Sequence, residues 1–88
     1  MQNDEILFEF PCKFSVKAMG LSADDFDALV VGIVRQHVPG LGEGAARSRP
    51  SKGGKYTSVT VTFEATSKAQ LDAIYQALTD HERVLMSL

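Results

Sequence analysis

Between Lys13 and Met19, the residues Phe14, Val16 and Ala18 alternate with Ser15, Lys17 and Met19. That period of two predicts a half-buried strand, and Gly20 is expected to end it. Ser22 stands before Ala23-Asp24-Asp25, the pattern of an N-cap serine followed by acids that complement the positive end of a helix dipole. The helix that follows carries its apolar stripe on Phe26, Leu29, Val30, Ile33, Val34 and His37, three and four residues apart, and Pro39-Gly40 stops it. Residues 45 to 51 and 56 to 65 read as two strands. Gly53-Gly54 joins them, because a primed two-residue turn needs a positive φ that glycine adopts without strain. Val59, Val61 and Phe63 form the inward face of the second of these strands, and Ser58, Thr60, Thr62 and Glu64 the outward one. Pro50 lacks a donor, which places its strand at a sheet edge. Thr66 or Ser67 caps a second helix with the stripe Leu71, Ile74, Tyr75 and Leu78, and Val84, Met86 and Leu88 mark a last strand.

The resulting order, β-α-β-β-α-β, lets two helices bury their stripes on one face of a four-stranded antiparallel sheet. This is an α+β, ferredoxin-like sandwich with strand order 4-1-3-2, whose shared core should hold Val59, Val61, Leu29, Ile33, Leu71 and Ile74. Residues 1–88 form one such domain, with residues 1–12 as an N-terminal extension. Its apolar Ile6, Leu7, Phe8 and Phe10 need cover, either on the domain itself or at a partner.

Composition narrows the function. With 88 residues and 44% apolar content, the chain has room for one core. The apolar run from Ala28 to Val34 is far shorter than the roughly 20 residues of a membrane span. The N-terminal Met1-Gln2-Asn3-Asp4-Glu5 is acidic and has no secretory pattern, so a cytoplasmic location is expected. Cys12 is the only cysteine, which removes an internal disulfide and a multi-cysteine metal site, and it reads as a partly buried apolar side chain. The formal net charge is −2, yet Arg47, Arg49, Lys52 and Lys55 follow one another without an intervening acid. The asymmetry is local, and a chain that is acidic overall argues against general nucleic-acid binding.

Three stretches together resemble a known family. Glu9-Phe10-Pro11 with Phe14, Lys17 and Met19-Gly20, then His37-Val38-Pro39-Gly40, then Ser51-Lys52-Gly53 leading to Tyr56, Ser58 and Val59, are similar to the YbeD-like family of small bacterial proteins. The resemblance covers nearly the whole chain and implies the ferredoxin-like fold, an architecture similar to ACT-type regulatory domains that bind small molecules and dimerise, and a regulatory role linked to lipoate metabolism. It carries over no catalytic residue.

The basic segment does not fit a nucleotide cradle. A P-loop needs a glycine five residues before Gly54-Lys55 and a Ser or Thr after it, whereas position 49 is arginine and position 56 tyrosine. Base stacking on the open sheet face needs several aromatics, and Tyr56 alone is available there. Acylphosphatases place an anion-binding arginine after the first strand, and copper carriers two cysteines; Gly20-Leu21-Ser22-Ala23-Asp24-Asp25 holds neither. Asp24, Asp25 and Asp27 read as dipole partners more readily than as a cation site, and His37 and His81 as helix-terminal residues. Pairing Lys52 with Lys55 sets Arg49 opposite Ser58 and Arg47 opposite Thr60. Lys17, Arg47, Arg49, Lys52, Lys55 and Tyr56 are thus the candidate contact residues, though cations on an edge strand also guard against sheet-to-sheet association. The reading is a non-enzymatic regulatory or adaptor domain without metal or cofactor, contacting a protein or a small anionic metabolite. The alternative is a small enzyme of acyl-phosphate or phosphate-ester chemistry that uses the basic hairpin.

Overall fold

The structure is a computed structural model, and it describes residues 9–88. Its elements are β1 (Cys12–Leu21), α1 (Phe26–Arg35), a short 3-10 turn (Glu43–Ala45), β2 (Ala46–Pro50), β3 (Tyr56–Ala65), α2 (Lys68–Asp80) and β4 (Met86–Ser87). The sheet order is β2-β3-β1-β4, which is the expected 4-1-3-2 read from the other edge. All three pairings are antiparallel.

The sheet is organised by the long β1–β3 ladder, which runs from Cys12 opposite Ala65 to Leu21 opposite Tyr56. Strand alternation sends Val16 and Ala18 of β1 and Val59, Val61, Phe63 and Ala65 of β3 to one face, where all are buried. Burying one valine fully is worth about 1.5–3 kcal/mol, so this face dominates the packing energy. Phe14 and Phe63 are register partners, and their tilted rings lie 6.3 Å apart between centroids. The helices close the core with Phe26, Val30 and Val34 from α1 and Leu71, Ile74 and Leu78 from α2. Phe26, Val30 and Val34 are the buried centre of the expected α1 stripe, and Leu29 and Ile33 of the same stripe pack half-buried along its flank.

Several local expectations change. β1 continues through Gly20 to Leu21, which pair with Thr57 and Tyr56, and position 20 takes glycine because the Phe26 ring and the Arg83 carbonyl occupy the space a side chain would need. Ser22 does not cap α1. Its N–H donates to the Lys55 carbonyl at 3.0 Å and its hydroxyl lies 2.7 Å from that of Thr57, which draws it into the sheet. The N-cap position falls to Asp25, whose carboxylate accepts both Nη groups of Arg83, at 2.8 and 3.1 Å. That ion pair holds the Asp25 carboxyl below the usual carboxylate range and ties the β1–α1 loop to the segment before β4. α1 ends at Arg35, so His37 lies beyond the helix; its N–H bonds to Val34 at 2.9 Å and its carbonyl accepts from Gln70 Nε2 at 2.9 Å.

At α2 the expected cap is present. The Ser67 hydroxyl accepts from the Gln70 N–H at 3.0 Å, while Gln70 Oε1 accepts from the Thr66 N–H at 2.8 Å. Gln70 thus secures its own helix and, through His37, the chain leaving α1. Phe10 packs half-buried against the core and Cys12 begins β1 beside it. Ile6, Leu7 and Phe8 of the expected N-terminal extension lie outside the described residues.

Candidate functional site

The face of the sheet turned away from the helices is built by the other half of each alternation. Register fixes which side chains meet there, because partners on neighbouring antiparallel strands project to the same side. One row crosses all four strands: Arg47 is opposite Thr60, Thr60 opposite Lys17, and Lys17 exchanges backbone hydrogen bonds of 2.9 and 2.8 Å with Leu88. The adjacent row is Arg49, Ser58, Met19 and Met86. Each row starts on a guanidinium at the β2 edge, crosses a hydroxyl, and ends on an apolar side chain at the β4 edge.

Lys17, Arg47, Ser48, Arg49, Ser58 and Thr60 line a shallow open depression of about 540 Å³. Small hydroxyl residues make its floor and cations make its walls. Ser58 is held by a long 3.4 Å bond from its hydroxyl to the Arg49 carbonyl, and Ser15 and Thr62 pair hydroxyl to hydroxyl at 2.7 Å in the next row. Among the described residues Lys17, Arg47 and Arg49 form no salt bridge; the ion pairs are Lys68–Asp72 and Arg83–Asp25, both elsewhere. Glu64 is the one acidic residue in the four strands, and its register partner in β1 is Lys13. Guanidinium groups without an ion-pair partner among the described residues, set beside a hydroxyl floor, suit a carboxylate or a phosphate, which a guanidinium fork binds through two parallel hydrogen bonds.

The six expected contact residues divide into two groups. Lys17, Arg47 and Arg49 come together, with Arg47 opposite Thr60 and Arg49 opposite Ser58 as the hairpin register requires. Lys52 and Lys55 do not form a strand pair. Ser51 closes the hairpin instead, donating its N–H to the Tyr56 carbonyl at 2.7 Å and accepting the Tyr56 N–H on its hydroxyl at 3.1 Å, so that Lys52–Lys55 form a four-residue loop. Within it Gly54 donates to the Ser51 carbonyl at 2.8 Å, and Gly53 and Gly54 both have positive φ, +87° and +78°. Lys55 Nζ sits 5.4 Å from the centroid of the Tyr56 ring, which places both at the loop rather than in the depression. The sequence reading left out the apolar end of the rows. The alternation of Val84, Met86 and Leu88 suggests one shared face, but β4 begins only at Met86, so Val84 is buried in the core while Met86 and Leu88 are exposed.

Among the described residues no three His, Cys, Asp or Glu side chains gather as metal donors, and no helix is long and apolar enough to cross a membrane. The geometry defines an α+β domain of ferredoxin-like topology with a cationic, hydroxyl-floored open sheet. Its relatives make the assignment narrower: the chain belongs to the family described as "Protein of unknown function (DUF493)", whose model matches residues 5–88. It is 48% identical over 85 residues to a UPF0250 protein of Paraburkholderia phytofirmans, covering 97% of this chain and 96% of that one. A UPF0250 protein of Nitrosomonas europaea is 44% identical, over 97% of this chain and 98% of its own. These are the YbeD-like proteins that the sequence resembles. The solution structure of protein HP0495 from H. pylori superposes with a TM-score of 0.73 at 16% identity, covering 92% of this chain and 85% of that one, and so shares the fold.

Proposed function

We propose that this protein is a non-enzymatic regulatory or adaptor domain that acts by engaging an anionic group on its open sheet face. The supporting observation is the convergence of Lys17, Arg47 and Arg49 over Ser58 and Thr60, with no ion-pair partner for any of the three among the described residues. The depression is open, and no His, Asp or Glu is among its lining residues to serve Ser48, Ser58 or Thr60 as a general base, an arrangement suited to binding rather than turnover. Lipoate metabolism, implied by the family resemblance, is the setting in which such a role would be sought.

The test is a titration of the protein with inorganic phosphate and with citrate, followed by backbone amide shifts at low and at raised salt. Shifts should centre on Lys17, Arg47, Arg49, Ser58 and Thr60 and diminish with salt, because screening weakens exposed charge contacts. In the double variant Arg47→Ala, Arg49→Ala the binding should vanish while the unfolding free energy stays within about 0.5 kcal/mol of the parent, since exposed charges away from packing contribute little. Unfolding of the double variant, or anion shifts centred elsewhere, would remove the proposal. So would hydrolysis of acyl-phosphates or phosphate esters that disappears in the same variant.

A further inference from the structure

Resting on that reading, we infer that the occupant of the open face is an acidic amphipathic helix of another protein, which sets its carboxylates on Arg47, Arg49 and Lys17 and its aliphatic side chains on Met19, Met86 and Leu88.

The first support is the gradient across the face. Met86 is 54% and Leu88 67% exposed, and both lie at the far end of the rows that begin at the two arginines. A phosphate or a small carboxylate covers the arginine end and leaves these apolar groups in water. A ligand that covers both ends must span three inter-strand spacings, about 14 Å at 4.7–4.9 Å each. A helix with its side chains measures about 10–12 Å across, and the few ångströms that remain are within the reach of the long arginine and methionine side chains at the two flanks, so one helix laid along the strands over the Ser58 and Thr60 floor meets both.

The second support is spacing along the strands. Arg47 and Arg49 are two residues apart, a separation of about 6.8 Å in an antiparallel strand. Positions i and i+4 of a helix are about 6 Å apart along its axis, so carboxylates at that interval meet the two arginines in turn. Residues one position further on point about 100° around the helix, which brings i+1 and i+5 toward the opposite flank, where Met86 and Leu88 stand two residues apart in the same manner.

Charge disfavours a second copy of this chain on the same face. If two copies stack with like edges together, arginines meet arginines. If they stack with opposite edges together, the arginines are buried against Met86 and Leu88, while the one carboxylate of the described strands, Glu64, already stands opposite Lys13, and burying an unpaired charge is strongly unfavourable. Either arrangement fails for the same reason, and an acidic partner removes it.

The experiment uses the labelled protein and a designed helical peptide that repeats Glu at i and i+4 and Leu at i+1 and i+5, with a control in which every Leu is Ser. Binding should shift the amides of Arg47 and Arg49 together with those of Met19, Met86 and Leu88. It should weaken roughly tenfold or more in Arg47→Ala, Arg49→Ala, and separately in Met86→Ser, as expected when a few anchors carry an interface. Met86 is largely exposed, so its substitution leaves the core intact. If phosphate and citrate bind at the arginines while the peptide binds no more tightly than its Leu→Ser control, the anion-binding reading stands and the helix falls. If neither the anions nor the peptide shifts this face, both fall. Self-association through the face, or tighter binding of a single-stranded oligonucleotide than of the peptide, also overturns the helix.

Discussion

Gly20 shows how one missing side chain positions three elements. A Cβ built there would lie 2.6 Å from two atoms of the Phe26 ring and would also collide with the Arg83 backbone carbonyl. The glycine therefore lets the first buried residue of α1 and the approach to β4 close on the same point of β1. Gly20→Ala should destabilise the domain by about 1–3 kcal/mol, the usual range for overpacking a filled core. A urea unfolding midpoint unchanged by the substitution would show that Phe26 can turn aside. The sequence presents this glycine as a strand terminator, because a glycine after alternating residues is commonly a breaker and nothing local indicates that an aromatic six residues on will pack over it. Ser22 was misleading for a similar reason. Its spacing to the acids fits a cap, yet the hydroxyl of Thr57, 35 positions away in the chain, is a nearer partner than the helix it precedes.

At the scale of elements, the hairpin between β2 and β3 carries the arginines, and its register depends on the loop. The pairing of Arg47 with Thr60 and Arg49 with Ser58 was legible because the glycines fix the centre of the hairpin, and counting outward from them is insensitive to whether the loop has two residues or four. The loop length itself was not legible, since it is decided by the Ser51 hydroxyl taking the Tyr56 N–H. With φ at +87° and +78°, replacing Gly53-Gly54 by two valines forces β-branched residues into a left-handed conformation at about 1–3 kcal/mol for each position. The thermal midpoint should fall accordingly, and Asn at either position should restore part of it because asparagine tolerates that conformation. If the divaline variant melts with the parent, the loop can rearrange without disturbing the strands. The position of Arg47 and Arg49 would then owe nothing to the turn.

Across the whole molecule, the open face joins parts of unequal rigidity. β1 and β3 share a ten-residue register and bury Val16, Val59 and Val61 completely, whereas β4 meets β1 through Met86 and Ser87 and the backbone bonds of Leu85 and Leu88. Local opening requires the loss of few contacts at β4 and of the entire core at the central ladder, so the free energies of the two openings must differ. The strand order and the identity of the central strands were readable from alternation alone; the weakness of β4 was not, because Val84, Met86 and Leu88 look like a longer strand in sequence and only Met86–Ser87 pairs as one. Native-state hydrogen exchange should place the amides of Val16, Ala18, Val59 and Val61 at the global unfolding free energy, with the amides of Met86 and Leu88 exchanging through a smaller, local opening. The acidic helical peptide, by covering Met86 and Leu88, should slow exchange at β4 while leaving β1 and β3 at the global limit until the protein as a whole is stabilised. Equal protection of β4 and the central ladder in the free protein would mean that the apolar flank is as fixed as the cationic one. In that case the peptide would meet a face already formed from edge to edge, and its binding would be read in affinity alone.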